Sequence, residues 1–407
     1  MRATGRASGV VALAAALVLA ILGVAPSTAN AAEDFYDTPA TLPASNGDLV
    51  RQEPSSFYLD PLKALKVDAD VRRIMYRSTD ARDKPIAVTG TVLTPKSPWV
   101  GKGERPLVGY AVGTQGLGDH CAPSRQLAAG SEYEGAFLKG LLARGYAVAV
   151  TDYEGLGTEG VHTYVVRASQ GHAVLDAVRA AQRAGIPGLP ANGPVGISGY
   201  SQGGGASAAA AELAPTYAPE LNIKGAYAGA VPADLKAVSQ NIDGGLYTGF
   251  AIFAVNGITE AYDIDIDPLL TPAGKLKVEA AKEQCTADGV TANAFAQTDQ
   301  FTVSGKKLSE LIDEPQFKDI VAEQTIGVGR APKVPVLVGQ SLLDDVIPYA
   351  QDKAMAKRWC GQGTNVRFRT SAAPTHVGAA AALFPAAFAF LEARFAGVPA
   401  TSNCSTL

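Results

Sequence analysis

A serine, an aspartate and a histidine stand in that order along this chain, each in a loop that follows a short apolar run. Ser201 sits in Gly199-Tyr200-Ser201-Gln202-Gly203, Asp344 in Asp344-Asp345-Val346-Ile347-Pro348, and His376 closes Ser371-Ala372-Ala373-Pro374-Thr375-His376. A serine hydroxyl is a weak nucleophile at neutral pH and attacks a carbonyl only when a base takes its proton, the base itself being held by a third group. These residue types therefore point to acyl transfer. Histidine is scarce enough to choose the base: of His120, His162, His172 and His376, only His376 follows Ser201. Asp344 is preferred to Asp345 as the acid because it lies four residues before Pro348, in a D-x-V-I-P run that resembles the D-x-x-V-P form common in acid loops. His162 and His172 lie in or beside a helical stretch and read as surface or packing residues, whereas His120 adjoins a Gly-rich loop and reads as lining the site.

Such a set works only if secondary structure brings distant loops together. Around Ser201 the run 194–198 reads as a strand and the Ala-rich run 204–213 as a helix, the strand-turn-helix context of a nucleophile elbow. A serine on so sharp a turn takes a strained backbone conformation, and glycine at 199 and 203 leaves room for the neighbouring strand and helix. The strand expected at 106–112 runs into Gly113-Thr114-Gln115-Gly116-Leu117-Gly118, where small residues let backbone N–H groups approach a developing oxyanion.

Alternation over 71–78 and 87–95 about a turn-rich 80–85 predicts an antiparallel hairpin opening the sheet. Residues 33–61, rich in Pro, Ser, Asp and Tyr, read as an arm lying on the surface. A buried strand is expected at 146–152 and further strands at 223–232, 334–340 and 365–370, with helices at 138–144, 171–184, 349–358 and 377–395. Strands alternating with helices at this interval imply an α/β protein with a mostly parallel, wound sheet flanked by helices. Between 233 and 330 the alternation stops. Helix-like segments at 247–255, 276–283, 305–311 and 317–324 read there as an inserted helical cap over the carboxyl edge of the sheet. The expected organisation is a leader at 1–31, a first core part at 32–232, the cap at 233–330 and a second core part at 331–407.

Arg2 and Arg6, the apolar run 10–24 and Ala29-Asn30-Ala31 have the form of a cleaved signal peptide. No other stretch reads as long and apolar enough to cross a membrane, so a secreted protein without a transmembrane anchor is expected. Export makes Cys121, Cys285, Cys360 and Cys404 two disulfides in preference to a metal site, since no pair has C-x-x-C spacing. Three pairings are open; proximity along the chain favours Cys360 with Cys404 and Cys121 with Cys285. A formal net charge of -4 without a basic cluster gives nucleic-acid binding no support, and without a metal-ligand cluster or a dinucleotide loop no cofactor is implied.

Together these motifs resemble the secretory lipases typified by Candida antarctica lipase A, of the α/β-hydrolase superfamily, over nearly the whole mature chain. The resemblance rests on Gly113-Thr114-Gln115-Gly116, Asp119-His120-Cys121-Ala122-Pro123-Ser124, Asp152-Tyr153-Glu154-Gly155, Gly199-Tyr200-Ser201-Gln202-Gly203-Gly204, Tyr217-Ala218-Pro219-Glu220-Leu221-Asn222-Ile223, and 344–348 with His376. It implies an α/β-hydrolase fold, with Ser201 as nucleophile, Asp344 as acid and His376 as base. It also implies an oxyanion hole made by the backbone N–H of Gln202 and of Gln115 or Gly116, where that family has an aspartate. The same two disulfides, a lid within 233–330 that contacts a lipid interface, and fatty-acid esters such as triacylglycerol as substrates are further implications. The residues alone leave open a short-chain carboxylesterase or acyltransferase on the same triad, a serine peptidase, and a non-catalytic binding module, though the last has no need of all three residues.

Overall fold

In the computed structural model, which describes residues 34–407, nine strands form one sheet. The leader expected at 1–31 lies outside the described residues. The strands are β1 (Leu49–Pro54), β2 (Ala69–Thr79), β3 (Pro85–Pro95), β4 (Leu107–Ala111), β5 (Ala147–Tyr153), β6 (Val195–Tyr200), β7 (Ile223–Gly229), β8 (Val336–Ser341) and β9 (Val366–Ser371). Across the sheet they run β1-β2-β3-β5-β4-β6-β7-β8-β9. The pairs β1–β2, β2–β3 and β3–β5 are antiparallel, and every pair beyond is parallel. Parallel strands need helical crossovers, and these cover both faces, so β4, β5, β6 and β8 are buried along their whole length.

The first crossovers hold α1 (Pro123–Ala129), α2 (Gly135–Leu142), α3 (Arg167–Arg183) and α4 (Gln202–Tyr217). α4 is built of Gly and Ala where it meets the sheet, and small side chains let it nest against α3, β6 and β7. Between β7 and β8 come α5 (Leu235–Ile242), α6 (Thr248–Tyr262), α7 (Pro272–Ala281), α8 (Thr286–Asn293), α9 (Leu308–Leu311) and α10 (Pro315–Gln324), with no strand among these described residues. Then α11 (Tyr349–Gly361) and α12 (His376–Phe395) complete the order, which is that of an α/β-hydrolase.

The structure corrects the sequence reading in three places. The N-terminal arm does not merely lie on the surface: β1 pairs with β2, so the arm and not the hairpin opens the sheet, and Tyr36 and Phe57 are buried. β1 escapes a pattern search because it is an edge strand with no fully buried residue. Helices α1, α5 and α8 were not expected; each is eight residues or fewer, too short to display a helical period. Finally, α12 is long and apolar enough by composition to cross a membrane, contrary to the expectation that no such stretch follows the leader. It packs against β6, β7 and β8, burying Ala379, Leu383, Phe384, Ala387 and Leu391.

Two disulfides join Cys121 with Cys285 and Cys360 with Cys404, the pairing that chain proximity favours. The second ties the C-terminal tail to α11. Beside it the Asn403 side chain extends the edge of β9, accepting from Phe368 N at 2.8 Å and donating to Phe368 O at 2.9 Å. Because this bridge closes a separation of 44 residues, replacing Cys360 and Cys404 together by Ser should lower the unfolding free energy by roughly 2–4 kcal/mol. Urea denaturation of the double variant measures it.

Candidate active site

Ser201 occupies the turn from β6 into α4 with φ 62° and ψ -125°, a conformation that costs a residue with a side chain strain energy. The surroundings leave no alternative. A Cβ on Gly199 would lie 2.1 Å from the carbonyl oxygen of Gly203, and one on Gly203 would lie 2.0 Å from that of Ala111. Ser201 N donates to Gly229 O at 2.9 Å, locking the turn onto β7.

His376 opens α12 after β9, and Thr375 caps that helix by accepting from Gly378 N at 3.2 Å. The His376 Nε2 lies 2.8 Å from Ser201 Oγ, and its Nδ1 lies 2.9 and 3.0 Å from the carboxylate oxygens of Asp344. A carboxylate accepts, so Nδ1 carries the proton and Nε2 is left to accept the serine O–H. Asp344 is itself fixed by Val346 N and Ile347 N, which donate to its Oδ1 at 2.9 and 2.8 Å. The neighbouring carboxylate has separate work: Asp345 Oδ1 accepts from His376 N at 2.7 Å, while Tyr200 OH donates to His376 O at 2.8 Å. The imidazole is thus held by side chain and backbone together.

Two backbone segments of the core have N–H groups to spare. Gln202 N opens α4 and has no intrahelical acceptor, and Gln115 N makes no backbone hydrogen bond among the described residues. The Gln115 loop is gripped from both sides. From the core, Glu134 Oε1 accepts from Gly113 N at 3.3 Å, Glu132 Oε1 accepts from Gln115 Nε2 at 3.2 Å, and Gln126 Nε2 donates to Gln115 Oε1 at 2.8 Å. From the segment between β7 and β8, Leu117 N donates to Gln284 O and Thr286 N to Gln115 O, both at 2.9 Å, with the Cys121–Cys285 disulfide alongside. Burial pushes the Glu132 carboxyl up to about 7 and that of Glu134 well above the usual range. In both, burial favours the neutral form of the carboxyl.

An apolar cavity extends from Ser201 and Gln202 between the core and the helices of the β7–β8 segment. Leu235 and Val238 of α5, Phe250 of α6, Leu311 of α9 and Val346 and Ile347 of the acid loop line it. The arrangement links a serine hydroxyl, an imidazole and a carboxylate in one hydrogen-bonded chain beside an apolar cavity.

The sequence model of the secretory lipase family matches residues 122–403. The chain belongs to the secretory lipase family. Lipase 6 of Candida albicans is 30% identical, over 92% of this chain and 83% of its own. A secreted triacylglycerol lipase of Malassezia globosa is 30% identical, over 91% and 81%. The X-ray structure of Candida antarctica lipase A in its closed state shares the fold, with a TM-score of 0.79 at 23% identity over 92% of this chain and 88% of that one. As a member of the family, this secretory lipase is an ester hydrolase.

Ser201, Asp344, His376 and Gln202 meet at one edge of the sheet of this lipase, and Gln115 follows the neighbouring strand β4, beside the Cys121–Cys285 bridge. The Cys360–Cys404 bridge serves the C-terminal tail instead. His120 does not line the cavity, a correction to the sequence reading: it is exposed, because the adjacent Cys121 turns inward to reach its disulfide. His172 packs as expected, stacked on Tyr217 with Nδ1 at 3.1 Å from Thr79 O. His162 is also internal, with its Nε2 2.9 Å from the Gln202 carboxamide nitrogen. Tyr200, Asp345, Glu132 and Glu134 were missed. Only the first two carried a signal, one inside the elbow motif and one beside the acid.

Since the Glu132 pKa is raised from 4.5 to about 7, folding favours its neutral form. The stability this contributes is intact below pH 4.5 and is lost as pH rises through 7. Glu132→Gln should therefore match wild type in thermal unfolding at pH 4.5 and exceed it at pH 8.

Proposed function

We propose that this secretory lipase is exported and cleaves fatty-acyl esters, triacylglycerol foremost, through Ser201, His376 and Asp344 by way of an acyl-enzyme. The observation that carries the reading is the Ser201 hydroxyl, 2.8 Å from His376 Nε2 and opening on an apolar cavity. In this mechanism His376 takes the proton as Ser201 attacks the ester carbonyl. The oxyanion is held by the backbone N–H of Gln202 and that of Gln115 or Gly116, and Asp344 stabilises the imidazolium. His376 returns the proton to the departing alcohol, and water repeats the attack on the acyl-enzyme.

Residues 233–330 act in this reading as the cap. Burying each methylene of an acyl chain is worth about 0.8 kcal/mol, so a cavity lined by Leu, Val, Ile and Phe favours long chains over acetate. Leu246 and Phe295 of the cap and Leu342, Leu343 and Val377 beside Asp344 and His376 are exposed, which supports contact with a lipid surface around the entrance. The signal-peptide pattern and two disulfides support export, as does the likeness to a relative named a secreted triacylglycerol lipase.

Hydrolysis of p-nitrophenyl esters from acetate to palmitate and of emulsified triacylglycerol tests the assignment. Activity should rise with chain length and include the emulsion. Ser201→Ala should lose about four to six powers of ten in kcat, and Asp344→Asn about four. Activity confined to short soluble esters would make the protein a carboxylesterase. Hydrolysis that survives Ser201→Ala would remove the triad.

A further inference from the structure

His162 takes no part in the steps above, yet it is buried against the residue that follows the nucleophile. Its Nδ1 lies 2.8 Å from the carbonyl oxygen of Glu154, and its Nε2 lies 2.9 Å from Gln202 Nε2. A carbonyl oxygen only accepts, so Nδ1 must carry the proton. Nε2 then presents a lone pair, and the Gln202 carboxamide N–H donates to it. The Nε2 contact needs a neutral ring, and burial supplies one by pushing the His162 pKa down to about 4.

The ring has little freedom to move. It stacks on Tyr153 at 5.6 Å between centroids and meets the edge of Tyr164 at 6.0 Å. The loop that carries it is tied down as well: Thr163 N donates to Glu154 O at 3.3 Å, and the Glu154 carboxylate accepts from Thr163 Oγ1 at 2.9 Å and from Ser169 Oγ. A firmly held acceptor thus stands against the Gln202 side chain. Strained backbone of the kind found at Ser201 persists only when its surroundings over-determine it. Glycine packing fixes one side of the Ser201–Gln202 peptide, and the Gln202 side chain is the handle available on the other.

We propose that His162 is a positioning residue for the oxyanion hole: it holds the Gln202 carboxamide and thereby aims the Gln202 backbone N–H at the oxyanion. This rests on the reading of Ser201 as nucleophile and Gln202 N–H as oxyanion donor. A site that holds its donors in place before the reaction gains rate from interactions that strengthen in the transition state, so loosening the donor lowers kcat and leaves KM nearly alone.

The test compares wild type with His162→Phe, His162→Gln, Gln202→Ala and the His162→Phe, Gln202→Ala double variant, after thermal unfolding has shown each to be folded. For each, kcat and KM on p-nitrophenyl butyrate are measured with the inhibition constant of an alkyl trifluoromethyl ketone, whose hemiketal oxygen occupies the hole. His162→Phe should lower kcat about 10–100-fold, less than the loss of a whole donor, with KM changed by under about twofold. Ketone binding should weaken by the same factor as kcat/KM. His162→Gln, whose carbonyl can accept from Gln202, should recover most of the loss, and the double variant should be no worse than the worse single one. A kcat near wild type in folded His162→Phe, ketone affinity that does not follow kcat/KM, or additive losses in the double variant would overturn the proposal. Should His162→Phe not fold, Gln202→Ala decides: parallel losses in kcat and ketone affinity support the handle, and none overturns it. Failure of the underlying reading looks different, because Ser201→Ala would then still hydrolyse the ester.

Discussion

The backbone of α4 approaches the sheet more closely than side chains would permit. A Cβ on Gly203 would strike Ala111 O, and one on Gly204 would lie 2.0 Å from Gly229 O, so the helix start is seated on β4 and β7 at once. From that seat follow the sharp turn at Ser201, its positive φ, and the free N–H at the first helical position. The Ala run that continues α4 belongs to the same requirement, since a helix pressed so near two strands and α3 has space only for methyl groups. Everything proposed for the site is arranged around a contact between backbones.

The loops that meet this helix start are shaped by polar groups as well as by apolar packing. Asp344 and Asp345 divide the task of holding His376 between its ring and its peptide nitrogen. Glu132 and Glu134 hold the Gln115 loop through carboxyls whose neutral form burial favours. An unpaired polar group in such a place is costly, and a satisfied one fixes a geometry that hydrocarbon contacts would leave loose.

How much of this could be read in advance depended on how local the physical rule was. The elbow glycines, the serine and the lone histidine downstream are governed by sterics and chain order within short stretches, and the parallel strands announce themselves by continuous burial. Asp344 and Asp345 could be seen as a pair, but their separate duties depend on where the His376 backbone lies. His162 and Gln202 are 40 residues apart, and no periodicity links them; the ring matters only because β5 and β6 leave the sheet on either side of β4. Glu132 and Glu134 look like solvated surface charges until the Gln115 loop is folded over them. β1 and the short helices were hidden for a simpler reason, since an edge strand and one or two helical turns bury too little to leave a pattern.

The strip 284–286 lies along the Gln115 loop as an antiparallel bridge, Gly116 opposite Cys285, closed by a disulfide and by hydrogen bonds at Leu117 and Thr286. Gly116, at φ 117°, has no space for a side chain because Gln284 O would be 2.2 Å away. One face of the Gln115 loop is therefore borrowed from the helical segment between β7 and β8. The two segments form one mechanical piece although 164 residues separate the bridged cysteines. A chimera that exchanges the helices between β7 and β8 for those of a relative must cut so that this strip travels with the core, or it will replace one face of the loop together with the pocket.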